Sequence, residues 1–431
     1  MQRMPVSPRP TPTRPTAMPR TFFLVLAVQF LSTLADNALL IVAIARVMEL
    51  HGAAWIIPVI KISFTVFYVV LAPLAGPLAD AFRKGHVMVG ANALKTCAIG
   101  WLMLGADPAL AITVVGLGAA LYAPAKYGLI TELLPGRDLV RANGYFESVT
   151  VCAVIFGTTL GGLLVSPWMP AWHPSWLPMA TDSAPTALLA GMAVLLMMNA
   201  TATLMSSGIA DSGARYVRQS IHPVALIRGF FKDNLMLWRD PLGGLSMTVT
   251  TLLWAVGATL QLIVLRWANE ALGLSLTHAA YLQGVTAIGV IAGAILASRY
   301  VQLERATALL PLGIVIGLLV PCMLAVHTTL MAALLLVTVG ALAGYFVVPM
   351  NALLQHRGCQ LLTAGRSIAV QGFNENGGIL LVLAGYAAAT ALALPLQVLI
   401  WGFGALVILG MVFILASSKP APTKACVKSI G

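Results

Sequence analysis

The chain is short of charge. Of its 431 residues only 9% are charged, where a soluble domain carries about 25%. So small a stock cannot coat a water-facing surface. With 59% hydrophobic residues and a mean hydropathy of +0.91, the chain reads as a polytopic membrane protein. Soluble enzymes, nucleic-acid binders and secreted scaffolds are set aside on that ground. Cysteine is scarce as well. The five (Cys97, Cys152, Cys322, Cys359, Cys426) form no C-x-x-C and no ligand spacing, so they read as free thiols, neither a disulfide framework nor a metal site. Catalytic signatures are missing too. No His has an Asp five residues on, and there is no G-x-S-x-G elbow and no G-x-x-x-x-G-K-[ST]. An intramembrane acyltransferase, an α/β-hydrolase and a phosphate-loop ATPase are thereby disfavoured, and no cofactor is expected.

What the chain does have is long apolar runs and a basic surplus. Stretches of about 20 apolar residues suffice to span a bilayer, and they fall at 21–48, 53–79, 86–105, 108–131, 140–166, 185–207, 242–268, 278–298, 306–326, 329–354, 365–391 and 395–417. These twelve spans divide six and six about the polar stretch 208–241. The reading is a disordered arm (1–20), a first half (21–207), a linker (208–241), a second half (242–417) and a tail (418–431). The net charge of +11 would suggest nucleic acid in a soluble chain. Here its distribution points to a membrane leaflet instead. Arg3, Arg9, Arg14 and Arg20, then Arg83 and Lys84, Arg137 and Arg141, the linker cations, Arg299 and Arg305, Arg357 and Arg366, and the terminal lysines all fall on one side. The opposite loops carry no Lys or Arg. That asymmetry predicts a multi-pass protein with both termini in the cytoplasm.

The halves echo one another. A-D-N-A-L-L-I-V-A-I-A-R around Asp36 answers G-A-T-L-Q-L-I-V-L-R around Gln261; Pro124 answers Pro349, Lys126 answers Asn351, and Glu147 answers Glu375. Weak six-against-six symmetry is the pattern of transporters built from two parallel halves around a midplane cavity.

Eight ionisable residues fall within spans: Asp36, Arg46, Lys61, Lys95, Lys126, Glu147, Arg266 and Glu375. Each costs about 2.5–3.5 kcal/mol at bilayer depth on insertion scales, so they call for a reason. They form structural pairs such as Lys126–Glu147, or they line a polar cavity for a charged substrate. Arg46 and Arg266, near outer helix ends, are expected to snorkel to headgroups. After the second span, G-P-L-A-D-A-F-R-K-G runs from Gly76 to Gly85. Asp80 there is suited to cap a facing helix N-terminus and pair with Arg83 or Lys84, a contact available in one state of a gate only. The stretch resembles the major facilitator signature at this position, with the basic pair before Gly85 rather than after it.

Longer blocks sharpen the resemblance: F-L-S-T-L-A-D-N-A-L-L around Asp36, K-G-H-V-M-V-G-A-N-A-L-K ending at Lys95, A-P-A-K-Y-G-L-I around Lys126, Y-F-V-V-P-M-N-A-L-L-Q-H-R-G and A-V-Q-G-F-N-E-N around Glu375. Together they are similar to the bacterial lysophospholipid transporter family of the major facilitator superfamily, over about residues 20–415. The resemblance implies an all-α, twelve-helix major facilitator fold in two pseudosymmetric six-helix halves, in the bacterial inner membrane. It implies movement of lysophosphatidylethanolamine and lysophosphatidylglycerol from outer to inner leaflet, with membrane lipids as surroundings. It also implies a functional link to a cytoplasmic-face acyltransferase/acyl-ACP synthetase that re-acylates them. The chain departs from the family where Gln261 replaces an Arg, with Arg266 five residues on and on another helical face.

The expected substrate-binding set is Asp36, Asn37, Lys95, Lys126, Tyr127, Glu147, Gln261, Asn351 and Glu375. Lys95 and Lys126 would hold a phosphate, and Asp36, Glu147 or Glu375 an amine. Asp80, Arg83 and Lys84 would gate. The acyl chain is expected to stay in lipid, leaving between helices at small-residue stretches such as Gly157-x-x-x-Gly161 and Gly289-x-x-x-Gly293. The alternative reading is a proton-coupled major facilitator exporter of drugs or small organic ions.

Overall fold

A computed structural model describes residues 18–49, 56–166, 186–217 and 222–417. The expected arm up to residue 17 and the tail from 418 lie outside the described residues. Every regular element among those described is helical. The first half comprises α1 (Arg20–Glu49), α2 (Ile56–Val70), α3 (Ala72–Ala81), α4 (Lys84–Met103), α5 (Pro108–Leu133), α6 (Leu139–Leu164) and α7 (Thr186–Ser207). Then α8 (Pro223–Arg239) leads to the second half: α9 (Pro241–Leu272), α10 (Leu276–Tyr300), α11 (Pro311–Leu319), α12 (Thr329–Leu361), α13 (Ala364–Ala391) and α14 (Leu396–Ser417).

Eight of these helices are each long and apolar enough to cross a membrane, and two bent pairs add two more spans. The remaining positions belong to α4 and α13, whose polar residues (Asn92 and Lys95; Gln371, Asn374, Glu375 and Asn376) lower their apolarity. The bent pairs correct the expectation of continuous spans at 53–79 and 306–326. Phe64–Val70 and Ala72–Ala81 meet at 73°, and the 3-10 turn Leu303–Leu309 meets the segment from Pro311 at 44°. Pro73 and Pro311 sit in the first turn after each break. A proline ring cannot donate to the preceding turn and clashes with it, so the ladder restarts in a new direction. Within the linker expected at 208–241, half of the residues form the helix α8. Elsewhere the ends are conventional. Asp107, Asp240, Ser275 and Thr328 accept N–H groups at the starts of α5, α9, α10 and α12, and Gly273, at φ +64°, ends α9 in the left-handed region.

Lipid tails are as apolar as leucine, so contact between spanning helices depends on close packing rather than on expulsion of water. Small residues make the seams. Gly289 and Gly293 of α10 lie against Val337 and Ala341 of α12, while Gly340 and Gly344 of α12 face Thr286 and Val290 in return. Gly157 and Gly161 of α6 press on Leu34 and Ala38 of α1. These stretches, expected at lateral openings, knit helices within a half.

The halves approach each other closely at the end of the bundle that carries α8, here termed the linker end. A methyl at Gly144 would stand 2.8 Å from the carbonyl of Ala294 across the halves, and one at Gly76 2.9 Å from the Cα of Arg366. Gly144→Leu is therefore expected to prevent this closure. Cysteine accessibility at the linker end should rise in the variant, and unchanged accessibility would show that the backbones do not need to meet there.

Candidate functional site

Polar side chains in the first half form two separate networks. In one, Lys95 of α4, 1% exposed, donates to both oxygens of Asp36 at 2.8 and 2.6 Å and to Ser32 Oγ at 2.7 Å. Ser32 donates on to Asn92, and Asn92 to Ser206. All three donor directions of an ammonium group are accounted for, and the charge is neutralised by Asp36 on a neighbouring helix. Removing either partner would leave an uncompensated buried charge.

Lys126 of α5 is different. It is 5% exposed and donates to Gln29 Oε1 at 2.9 Å, while Gln29 Nε2 donates to Thr150. Its ammonium lies 4.0 Å from the centre of the Tyr127 ring, with the Tyr122 and Phe146 rings at 5.7 and 6.0 Å. Aromatic faces stabilise a cation by about 2 kcal/mol when desolvated, but they do not cancel its charge. Among the described residues no carboxylate lies within ion-pair distance of it. The structural Lys126–Glu147 pair weighed from the sequence is not formed.

Between the halves lies a cavity of about 100 Å³. Tyr68, Pro124 and Tyr127 line it from the first half, and Trp254, Asn351, Gln371 and Glu375 from the second. Gln371 Nε2 donates to Glu375 at 2.8 Å and to Asn351 at 3.2 Å. Two polar atoms here, Trp254 Nε1 and Gln371 Oε1, have no partner among the described residues. Lys126 thus stands behind Tyr127 of the first-half wall, and Glu375 lies on the wall from the second half. Of the other expected residues, Asn37 donates to the carbonyl of Thr33 in its own helix, apart from the Lys95 network. Gln261 is exposed two turns beyond Trp254, on the same face of α9. Arg46, expected to snorkel, is only 5% exposed and pairs with Glu49 at 3.4 Å; burial beside that carboxylate replaces a headgroup contact. Arg266, 30% exposed, pairs with Glu270 at 2.6 Å. The side chain of Lys61 lies outside the described residues.

At the linker end, Asp80 closes α3 against the start of α13. Its carboxylate accepts from the backbone N–H of Gly365 at 2.8 Å and of Arg366 at 3.2 Å, and from the Thr363 hydroxyl. The free N–H groups and partial positive charge of a helix start favour a carboxylate there. Lys84 bridges Asp80 and Glu132, each at 3.0 Å. Beside this cap, Asn143 and Gln355 exchange hydrogen bonds across the halves at 2.8 and 3.0 Å. Arg83 is not brought to the gate. It is 59% exposed and pairs with Asp211 at 3.1 Å, which Arg215 also holds at 2.6 Å.

The Arg215 hydrogen bond first, then the Gly213 N–H, hold the Asp211 carboxyl down at about 2. A depressed carboxyl stabilises above its ordinary range and loses that contribution as pH falls through its folded value. The gap in melting temperature between the protein and Asp211→Asn should therefore be constant from neutral pH to about pH 5 and close only in stronger acid. A gap that closes near neutrality would contradict the assignment.

Gln29, Ser32, Asn92, Tyr68, Glu132, Gln355 and Gln371 were not singled out from the sequence. Neutral polar residues in an apolar helix carry no signature of their own, although the acid at 132 at a span end was legible.

A cavity straddling two helical halves and a cap across them are the architecture of a membrane transporter. A sequence profile of the Major Facilitator Superfamily matches residues 25–382, and the chain belongs to that superfamily. It is 38% identical over 383 residues to the lysophospholipid transporter LplT of Serratia proteamaculans (strain 568), covering 88% of this chain and 91% of that protein. It is 37% identical over 383 residues to LplT of Citrobacter koseri, covering 89% and 92%. Among solved structures it is similar to the transporter FucP in the outward conformation, with a TM-score of 0.70 at 13% identity over 93% of this chain and 99% of that one. It is likewise similar to a bacterial homologue of the iron transporter ferroportin in an outward-facing state, with a TM-score of 0.67 at 15% identity over 92% and 99%.

Proposed function

We propose that the protein carries lysophospholipids, such as lysophosphatidylethanolamine and lysophosphatidylglycerol, from the outer to the inner leaflet of the bacterial inner membrane. The linker end and both termini then face the cytoplasm, and the state described is outward-facing, its cytoplasmic end shut by Asp80 and the Asn143–Gln355 pair. The observation that carries this reading is the unpaired cation Lys126 behind one wall of the cavity, with Glu375 on the opposite half. A headgroup phosphate displacing Gln29 from Lys126 supplies the missing counter-charge, and an ethanolamine ammonium finds Glu375 or Glu147. Asp36 positions Lys95 and neutralises it, so the pair keeps the first half's interior polar. Asn351, Gln371 and Trp254 offer neutral hydrogen bonds, and Tyr127 parts the cavity from Lys126. The exposed Gln261 offers an amide on the way in.

The acyl chain stays in lipid, since drawing it into water costs about 0.8 kcal/mol per CH₂. Delivery to the inner leaflet would supply an acyltransferase/acyl-ACP synthetase at the cytoplasmic face. Uptake of a lysolipid series varied only in headgroup, into vesicles with the proton gradient collapsed, tests the reading. Sustained uptake of phosphate-bearing lysolipids is expected. Loss of uptake on collapse, with preference for water-soluble cations, would favour a proton-coupled exporter instead.

A further inference from the structure

The helix α8 has three faces of different chemistry. At about 100° per residue, Phe230, Asp233 and Leu237 fall on one side, and all three are buried. That side is fastened to the second half. Asp233 pairs with Arg366, and Asn234 accepts from Asn374 at 2.8 Å. Trp238 Nε1 donates to the Asn374 side-chain oxygen at 3.0 Å. Roughly opposite lies an apolar stripe that the described residues leave largely exposed: Val224 is 59% exposed, Ile227 49%, Phe231 53% and Leu235 49%. The stripe spans about 80° of the helix circumference. Beside it along one flank run Arg228, Lys232 and Arg239, all exposed. Asp233, the lone acid of α8, is turned inward, so the outward surface is apolar plus purely cationic.

We propose that α8 is an interfacial helix: its stripe rests among acyl chains and its basic flank on anionic phospholipid headgroups. Such helices combine an apolar face with Lys and Arg on the polar face, and the leaflet on the basic side of a membrane protein carries the complementary charge. A second copy of this chain is the poorer occupant. Twofold pairing through the stripe would set Arg228, Lys232 and Arg239 against the same residues of the other copy. The arrangement also has a mechanical meaning. Asp233 grips Arg366, whose backbone N–H is one of the donors to Asp80, so the membrane surface and the gate are joined through one residue.

Spin labels at Val224→Cys, Phe231→Cys and Leu235→Cys test the proposal in the intact protein, with its other cysteines replaced by serine, in vesicles containing phosphatidylglycerol. Oxygen should reach all three labels more readily than a water-soluble nickel chelate. Removing cations by Arg228→Gln, Lys232→Gln and Arg239→Gln should lower the immersed population about fivefold per charge, and all-phosphatidylcholine vesicles should do the same. Dominant nickel access, exclusion of both reagents, or indifference to lipid charge would each overturn the proposal. The unaltered protein provides a second measurement free of cysteine replacement. A phospholipid with a photoreactive group in its acyl chain should cross-link within 224–238, and absence of adducts there also overturns it.

Discussion

Lys126→Ala is expected to lower lysolipid uptake by about one to two orders of magnitude while leaving the protein inserted and no less heat-stable than before. The two outcomes have one cause. A hydrogen bond to a charged group is worth about 1.5–3 kcal/mol, and a cation that meets its counter-ion only on a bound phosphate contributes that amount to transport and nothing to folding. The same ammonium is desolvated against Tyr122, Tyr127 and Phe146, with Gln29 as its one hydrogen-bond acceptor among the described residues, so its loss relieves a desolvation cost. Lys95→Ala should behave in the opposite manner. It strands Asp36, which has lost a pair held at 2.6 Å, at a cost of about 3–5 kcal/mol, and folded yield should fall with it. Uptake and melting temperature of the two variants, measured side by side, check the distinction. If Lys126→Ala transports normally, or if it melts as early as Lys95→Ala, the lysine is a structural group.

Asp80→Ala is expected to release the linker end. Its carboxylate collects the Lys84 ammonium, two backbone N–H groups and the Thr363 hydroxyl, and the last three donors belong to the opposite half. A helix cap is worth about 0.5–2 kcal/mol and charge-assisted bonds roughly twice a neutral one. The closed state should thus lose about 2–3 kcal/mol, a shift of roughly 30- to 150-fold in population. The distance distribution between spin labels on α3 and α13 reports it. A broadened, longer distribution is expected in the variant. An unaltered one would place the closing energy in the Asn143–Gln355 pair and the glycine contacts instead.

Much of this was legible in the sequence, for identifiable reasons. Apolar runs mark spanning helices because a bilayer admits no other way to satisfy the backbone, and charges within them stand out against so greasy a background. Asp36, Lys95, Lys126, Glu147 and Glu375 were visible for that reason, and Asp80 through its motif. Partnership was not visible. The sequence does not say that Lys95 takes Asp36 and leaves Lys126 alone, because that depends on how α1, α4 and α5 are rotated. Asn143 and Gln355 are 212 residues apart, and neither amide stands out until the halves meet. Arg46 looked peripheral from its place near a helix end, yet packing turned it inward. The helix α8 did leave a mark, apolar residues at 224, 227, 231 and 235, but four such residues in a polar stretch read as a connection.

The break at Leu71 makes the second span two rods rather than one. The ten residues of α3 carry Asp80 at their tip, while α2 lends Phe67 and Tyr68 to the cavity wall. A short lever pivoting at Pro73 lets the latch lift while Phe67 and Tyr68 hold their side of the chamber and, beyond the pivot, Ala75 leaves its wall, so unlatching need not begin by dismantling the whole cradle. Labels on Phe64 and Ala81 should then register bending within this span during turnover, whereas a fixed separation would mean that the whole half rocks as a block.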